Sequence, residues 1–187
     1  MHLEQALSLA REVGAHEFLN TAIAFLAVTL TAQGELTQAE TLLHESSVLT
    51  GYARPHKGQN GSRRLVLCAQ AELLLAQGEV SDALALAEEL IATSPYADEG
   101  GVIPRLWLLR GRALAARQQA AEAEQSLRDG IETAQRQTLR PLLWRLQVEL
   151  GRLFYAQRQT ELGQIYFDAA RAVVNSTGRG SAGRFVG

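Results

Sequence analysis

Small and apolar residues recur along this chain at helical spacing, and the whole pattern then repeats. The run "AQGELTQAETLL" begins at Ala32, "AQGEVSDALALA" at Ala76, "ARQQAAEAEQSL" at Ala116 and "AQRQTELGQIYF" at Ala156, so successive starts lie 44, 40 and 40 residues apart. Five residues before each start stands a small side chain (Ala27, Ala71, Gly111, Gly151), and twelve residues after it another (Ala39, Ala83, Ala123, Gly163). Three residues after the first small residue comes a large apolar one: Leu30, Leu74, Leu114 and Phe154. Four after the second come Leu43, Ala87, Leu127 and Phe167. A polar turn separates the halves, with Gly34 and Gly78 in the first two copies and Gln118 and Arg158 in the last two. A small pair lets two antiparallel helices approach closely, and the large residues fill the space beside that contact.

The pattern predicts helices over 3–14, 18–33, 36–50, 63–77, 80–93, 103–117, 120–137, 140–157 and 160–175. Pro104 and Pro141 fall near helix starts, where a missing amide proton costs little. The segment "GYARPHKGQNGS", 51–62, reads as a loop by its glycines and proline and accounts for the widest spacing. Both ends look unfinished. Residues 3–14 read as a second helix without its first, with Ala6, Leu9, Ala10 and Val13 on one apolar face. The last helix carries two apolar stripes, Ile165–Ala169–Val173 and Phe167–Ala170–Val174, where an end cap would be polar outside. The expectation is that the chain forms part of a longer array or buries its ends against another copy. The glycine-rich stretch from 176 onward, "STGRGSAGRFVG", has no periodicity and is expected to be disordered.

The small–large–turn–small–large order over residues 18–175 resembles the tetratricopeptide repeat (TPR), and Pro95 falls where that family often ends its second helix. The period is longer than the family's roughly 34 residues, and leucine stands where the family favours aromatics. The resemblance implies an all-α, TPR-like α-solenoid of antiparallel helix hairpins forming a right-handed superhelix. It divides the chain into a half-repeat helix at 1–17, repeats at 18–50, 63–95, 102–137 and 139–175, a loop at 51–62 and a tail at 176–187. The phrases "AELLLAQGEVSDALALAEELIATSP", "PRLWLLRGRALAA" and "LRPLLWRLQVELGRL" are further similar to the helical repeats that follow ATPase modules in MalT-type activators of the LuxR class and in ATPase–cyclase fusions. That resemblance implies a bacterial sensor or scaffold segment that receives a partner or effector. No ATPase loop, helix-turn-helix or cyclase segment is recognisable in the 187 residues.

Composition agrees with an all-helical chain: 47% of residues are hydrophobic, and only four prolines interrupt them. Net charge is −2, but residues 1–100 hold 5 basic and 13 acidic side chains, and residues 101–187 hold 13 and 7. The asymmetry either steers an anionic partner to the C-terminal half or reflects surface composition alone. The single cysteine, Cys68, excludes an internal disulfide and suits a reducing cytoplasm. No run is long enough to span a membrane, and "MHLEQALSLAREVGAHEF" lacks the basic lead-in of a signal peptide.

Candidate chemistry is sparse. His2, His16, His44 and His56 have no metal-ligand spacing, and Cys68 lies among apolar neighbours as a small buried hydrophobe would. "GQNGS" and "GRGSAG" lack the preceding strand and the lysine of a phosphate loop. The reading is therefore a non-enzyme with no catalytic residue, no metal and no cofactor. The patterned side chains are arginines. Arg105 and Arg112 lie seven apart on one first helix, and Arg145 and Arg152 lie seven apart at the matching places on the next. Seven residues make two turns, so each pair shares a face. Matching positions earlier are Thr21, Val28, Leu65 and Glu72. In a TPR fold, the resemblance implies, first helices line the concave side, and Tyr155 would add an aromatic to that wall. The rows fit an acidic peptide or terminal carboxylate held by bidentate guanidinium bonds; alternatively they lie over neighbouring helices and pair with acids such as Glu149. Trp107 and Trp144 are 37 apart, not 40, and read as packing residues. Arginine without a lysine partner set and near-zero net charge argue against nucleic acid. The expected partner is a protein or peptide, with a small-molecule effector or self-association as the rival readings.

Overall fold

The computed structural model describes residues 2–14, 16–50, 55, 61–94 and 103–179, and among these helices joined by short turns are the only regular secondary structure. The helices are α1 (His2–Val13), α2 (His16–Gln33), α3 (Leu36–Thr50), α4 (Gly61–Gln77), α5 (Val80–Ala92), α6 (Pro104–Ala116), α7 (Ala120–Arg136), α8 (Arg140–Ala156) and α9 (Thr160–Arg179). They fall into two compact units, residues 1–99 and 100–187. In the first, α2 packs on α1, α3 and α4, and α4 also packs on α3 and α5. In the second, α6 packs on α7 and α8, and α8 packs on α7 and α9. Helix hairpins thus arise where the small–turn–small pattern placed them.

The turns show why four unlike sequences make one structure. Gly34, Gly78, Gln118 and Arg158 all take the left-handed backbone, at φ of 84°, 88°, 62° and 62°. The next residue then donates its N–H to the carbonyl five positions back: Glu35 to Leu30, Glu79 to Leu74, Gln119 to Leu114 and Gln159 to Phe154, at 2.9–3.0 Å. This closure satisfies carbonyls that a helix end would otherwise leave unpaired. Thr138, between α7 and α8, makes the same turn at φ 54°.

The helix contacts follow the small residues. Ala27, Ala39, Ala71 and Ala123 are fully buried, and Ala83 nearly so. In the second unit a Cβ placed on Gly111 would lie 2.7 Å from Leu127. One placed on Gly151 would lie 2.9 Å from Phe167 and 3.1 Å from the Gly163 carbonyl oxygen. The first core gathers Ile23, Ala27, Ala39, Leu43, Val66 and Leu73; the second buries Leu114, Leu127, Leu146, Leu150 and Phe154.

Two polar groups in the first core are held by hydrogen bonds. Ser46 Oγ donates to Asn20 Oδ1 at 2.9 Å, both residues being buried. Arg64, 6% exposed, crosses from α4 to the end of α5 and donates to the carbonyls of Leu90 and Thr93 and to Thr93 Oγ1. Burial pulls its pKa below the usual arginine value, with the nearby Cys68 sulfur acting the other way. A cation at a helix C-terminus also opposes the negative end of the helix dipole.

One expectation about the ends needs correction. Helix α9 does not stop at 175 but runs to Arg179. There Ser176 Oγ donates to the Val173 carbonyl at 2.8 Å, and Arg140 of α8 reaches Ser176 at 3.5 Å. The rest of the expected tail lies outside the described residues, as do Pro95 and, apart from Pro55 and the start of α4, the expected loop. On α1 it is Leu7 and Ala10 that are buried, while Leu9 and Val13 are 60% and 70% exposed. Of the four residues expected on that apolar face, only Ala10 is buried.

Candidate functional site

Because α6 and α8 are neighbours in one unit, the arginine rows can be placed against each other. Glu149 of α8 is where they meet. Its Oε1 accepts from Arg152 NH1 at 3.0 Å and lies 3.9 Å from Arg112 Nε. Glu149 is 22% exposed, whereas Arg112 and Arg152 are 47% and 66% exposed. One carboxylate therefore faces two partly exposed guanidinium groups, each with five N–H donors. The net balance at this spot is one positive charge.

The remaining candidates lie around this pair. Arg145 has its guanidinium carbon 5.4 Å from the centre of the Trp144 ring, a cation–π contact. Arg105 is half-buried on α6. Tyr155, 43% exposed, stands one turn beyond Arg152, packs its ring on Phe167 at 5.4 Å and points its hydroxyl at Gln164 Oε1, 3.4 Å away. The structure joins Arg112 with Arg152 through Glu149 and directs Arg145 onto Trp144 instead. Trp107 is half-buried, and its backbone carbonyl accepts from the buried Ser126 at 3.0 Å.

Cys68 is buried, and among the described residues no cluster of three His, Cys, Asp or Glu side chains could hold a metal ion. Nor, among them, is any helix long and apolar enough to cross a membrane. His16 and His44 are exposed, and His44 lies 4.0 Å from Glu40.

Two arrangements escaped the sequence reading. Arg128 of α7 donates to Glu124 at 2.8 Å and to the Tyr166 hydroxyl of α9 at 2.9 Å. It also lies 5.9 Å from the centres of the Phe154 and Tyr166 rings, which stack on each other. Burial disfavours its charge, but the Glu124 carboxylate and the Tyr166 oxygen outweigh that and raise its pKa. Nothing in the repeat period signals this cluster, since Arg128 and Tyr166 are 38 apart. The other is an open apolar groove of about 480 Å³ between α1 and α2, lined by Leu9, Val13, Phe18 and Phe25. The spacing of Phe18 and Phe25, seven residues on one helix, was the available signal.

No protein-family profile matches the chain, and no curated protein matches it by sequence. Among solved structures it is similar to a Podosopora anserina protein of nearly identical TPR-like repeats, assigned as a kinesin light chain. The two are 24% identical, the match covers 95% of this chain and 85% of that one, and the TM-score is 0.58. The hairpins described above are thus a TPR-like fold.

Proposed function

We propose that this chain is a non-catalytic protein–protein interaction module whose second unit holds an acidic peptide segment or terminal carboxylate on the α6–α8 face. The observation that carries this reading is that Arg112 and Arg152 stay 47% and 66% exposed around Glu149, whose single carboxylate balances only one of their two charges. A partner's carboxylate added there would meet the donors that Glu149 leaves unused. The excess of 13 basic over 7 acidic residues in 101–187 supports the same sign of partner, and Tyr155 offers an apolar edge beside it. The alanine- and leucine-rich helices support placing the module in a bacterial transcriptional regulator or signalling ATPase, and the lone cysteine supports a cytoplasmic setting.

The test is fluorescence anisotropy with a labelled acidic peptide. Arg112→Ala with Arg152→Ala should weaken binding at least tenfold, about 1.4 kcal/mol, with helical circular dichroism unchanged. Binding to the unaltered protein should also weaken as salt screens the charges. Equal affinity in the double variant would return these arginines to a packing role.

A further inference from the structure

The groove between α1 and α2 has a counterpart inside the second unit, and that counterpart is filled. Aligning the left-handed turn residues Gly14 and Thr138 puts α1 on α7 and α2 on α8, and the small residues Ala27 and Gly151 then coincide. In this register Ala6 matches Gly130, Leu9 matches Thr133, Ala10 matches Ala134 and Ala22 matches Leu146. In the second unit Thr133 is 5% exposed, and Ala134 and Leu146 are fully buried. Helix α6 lies over them, so close that a Cβ on Gly130 would be 2.9 Å from Trp107 Cβ. In the first unit the same seat is open: Leu9 is 60% exposed, and Phe18 and Phe25 are 74% and 44% exposed. Its one polar lining group, the Thr21 hydroxyl, already donates to the Glu17 carbonyl at 2.9 Å. The seat is therefore shaped for the apolar face of a helix and asks for no polar partner.

Helix α9 carries such a face. Gly163, Phe167 and Ala170 turn toward α8, while Leu162, Ile165 and Ala169, spaced by three and four, form a second stripe on another side. Leu162 and Ile165 are 43% and 61% exposed, although the matching residues of α7 are Glu122 and Gln125. Net charge favours a contact between the first unit of one copy and the second unit of another, although α9 itself is balanced, with Glu161 and Asp168 against Arg171 and Arg179. Residues 1–100, with 5 basic and 13 acidic side chains, attract residues 101–187, with 13 and 7.

We infer that a second copy of this chain occupies the groove, laying the Leu162–Ile165 stripe of its α9 between α1 and α2. The contact joins unlike surfaces, so each added copy leaves a new groove and a new stripe exposed, and assembly continues beyond a dimer. This association is separate from the arginine rows of α6 and α8.

Light scattering on a sizing column, from low to several hundred micromolar protein, tests it with Leu9→Glu and Ile165→Glu. Both sites are surface positions, so circular dichroism should match the unaltered chain. Wild type should grow past dimer mass with concentration, and each variant alone should be monomeric. An equimolar mixture should give a dimer and stop there, because it holds one intact groove and one intact stripe. A monomeric wild type, a variant that still assembles, or a mixture that stays monomeric would each overturn the inference. A monomeric wild type that binds a foreign amphipathic helix would assign the groove to a different partner and would overturn it as well.

Discussion

The α4–α5 hairpin of the first unit and the α6–α7 hairpin of the second make the same contact with different chemistry. In α4–α5, Ala71 and Ala87 are both fully buried, and the turn is made by Gly78. In α6–α7 the matching residues are Gly111 and Leu127, and the turn is made by Gln118. Leucine there occupies the space that a methyl on the facing helix would need, 2.7 Å from a Cβ on Gly111. The α8–α9 hairpin goes further, with Gly151 against Phe167. Glycine has left the turn and entered the helix contact. In these hairpins the residue that faces a large side chain closely is glycine, as close-packed interiors require, although Ala27 and Leu43 of the α2–α3 hairpin show that alanine can also stand opposite leucine.

The strongest way to break this comparison is to exchange the pair. Leu127→Ala should cost about 3–4 kcal/mol, as for other fully buried leucines. Gly111→Ala should cost about 1–2 kcal/mol, overpacking set against a better helix former. The double variant rebuilds the Ala71–Ala87 pair and should lose at least about 1 kcal/mol less than the sum of the two. Urea unfolding of the four proteins measures it. Strict additivity would mean that positions 111 and 127 do not compete for the same space.

A second difference lies at the ends of the second helices. The caps Thr93 of α5 and Gln137 of α7 have similar φ, −97° and −86°, but Gln137 is followed by the left-handed Thr138, whereas at the end of α5 Arg64 supplies hydrogen bonds from the side. The residues matching Arg64 in the second unit are Pro104 and Trp144. Arg64→Met keeps much of the side-chain volume and removes the donors to Leu90 and Thr93. It should cost about 2–3 kcal/mol, the scale for stranding buried partners of a charged donor. Amide exchange at Thr93 and Ser94, whose N–H groups donate to Glu89 and Ile91, should speed up ahead of the rest of α5. Exchange that is unchanged there would show that α5 holds its end without Arg64.

These contrasts mark what could be read from the chain. Helices and turns were legible because they rest on residues within one hairpin, at spacings the sequence repeats. Even the left-handed turns at Gln118 and Arg158 were marked by their alignment with Gly34 and Gly78. The pairing of Glu149 with Arg152 is local and was anticipated, and its approach to Arg112 became visible only once α6 and α8 lay side by side. The reach of Arg64 to Leu90 and of Arg128 to Tyr166 was missed because these partners sit 26 and 38 residues away at unequal spacings. Such bonds depend on which long side chain reaches across, and no period records that. The mostly exposed apolar face of α1 was visible as a pattern, but periodicity gives an apolar stripe without saying whether anything covers it.

The smallest effect sharpens the comparison at the turns. Gly78→Ala places a methyl on a backbone at φ 88° and should cost about 1–2 kcal/mol. The reverse change in the second unit, Gln118→Gly at φ 62°, relieves the same strain. It also frees the unfolded chain, which returns about 0.5–1 kcal/mol. The net gain should be only a few tenths of a kcal/mol for Gln118 and for Arg158. Thr138→Gly should gain more than either, because a β-branched residue suits φ 54° least. Urea midpoints should therefore rank Thr138→Gly above Gln118→Gly, with Gly78→Ala well below wild type. If Gln118→Gly instead destabilised the chain as much as Gly78→Ala does, the glutamine would be holding its turn by a contact of its own. The two units would then differ in how their turns are stabilised, not merely in where they place glycine.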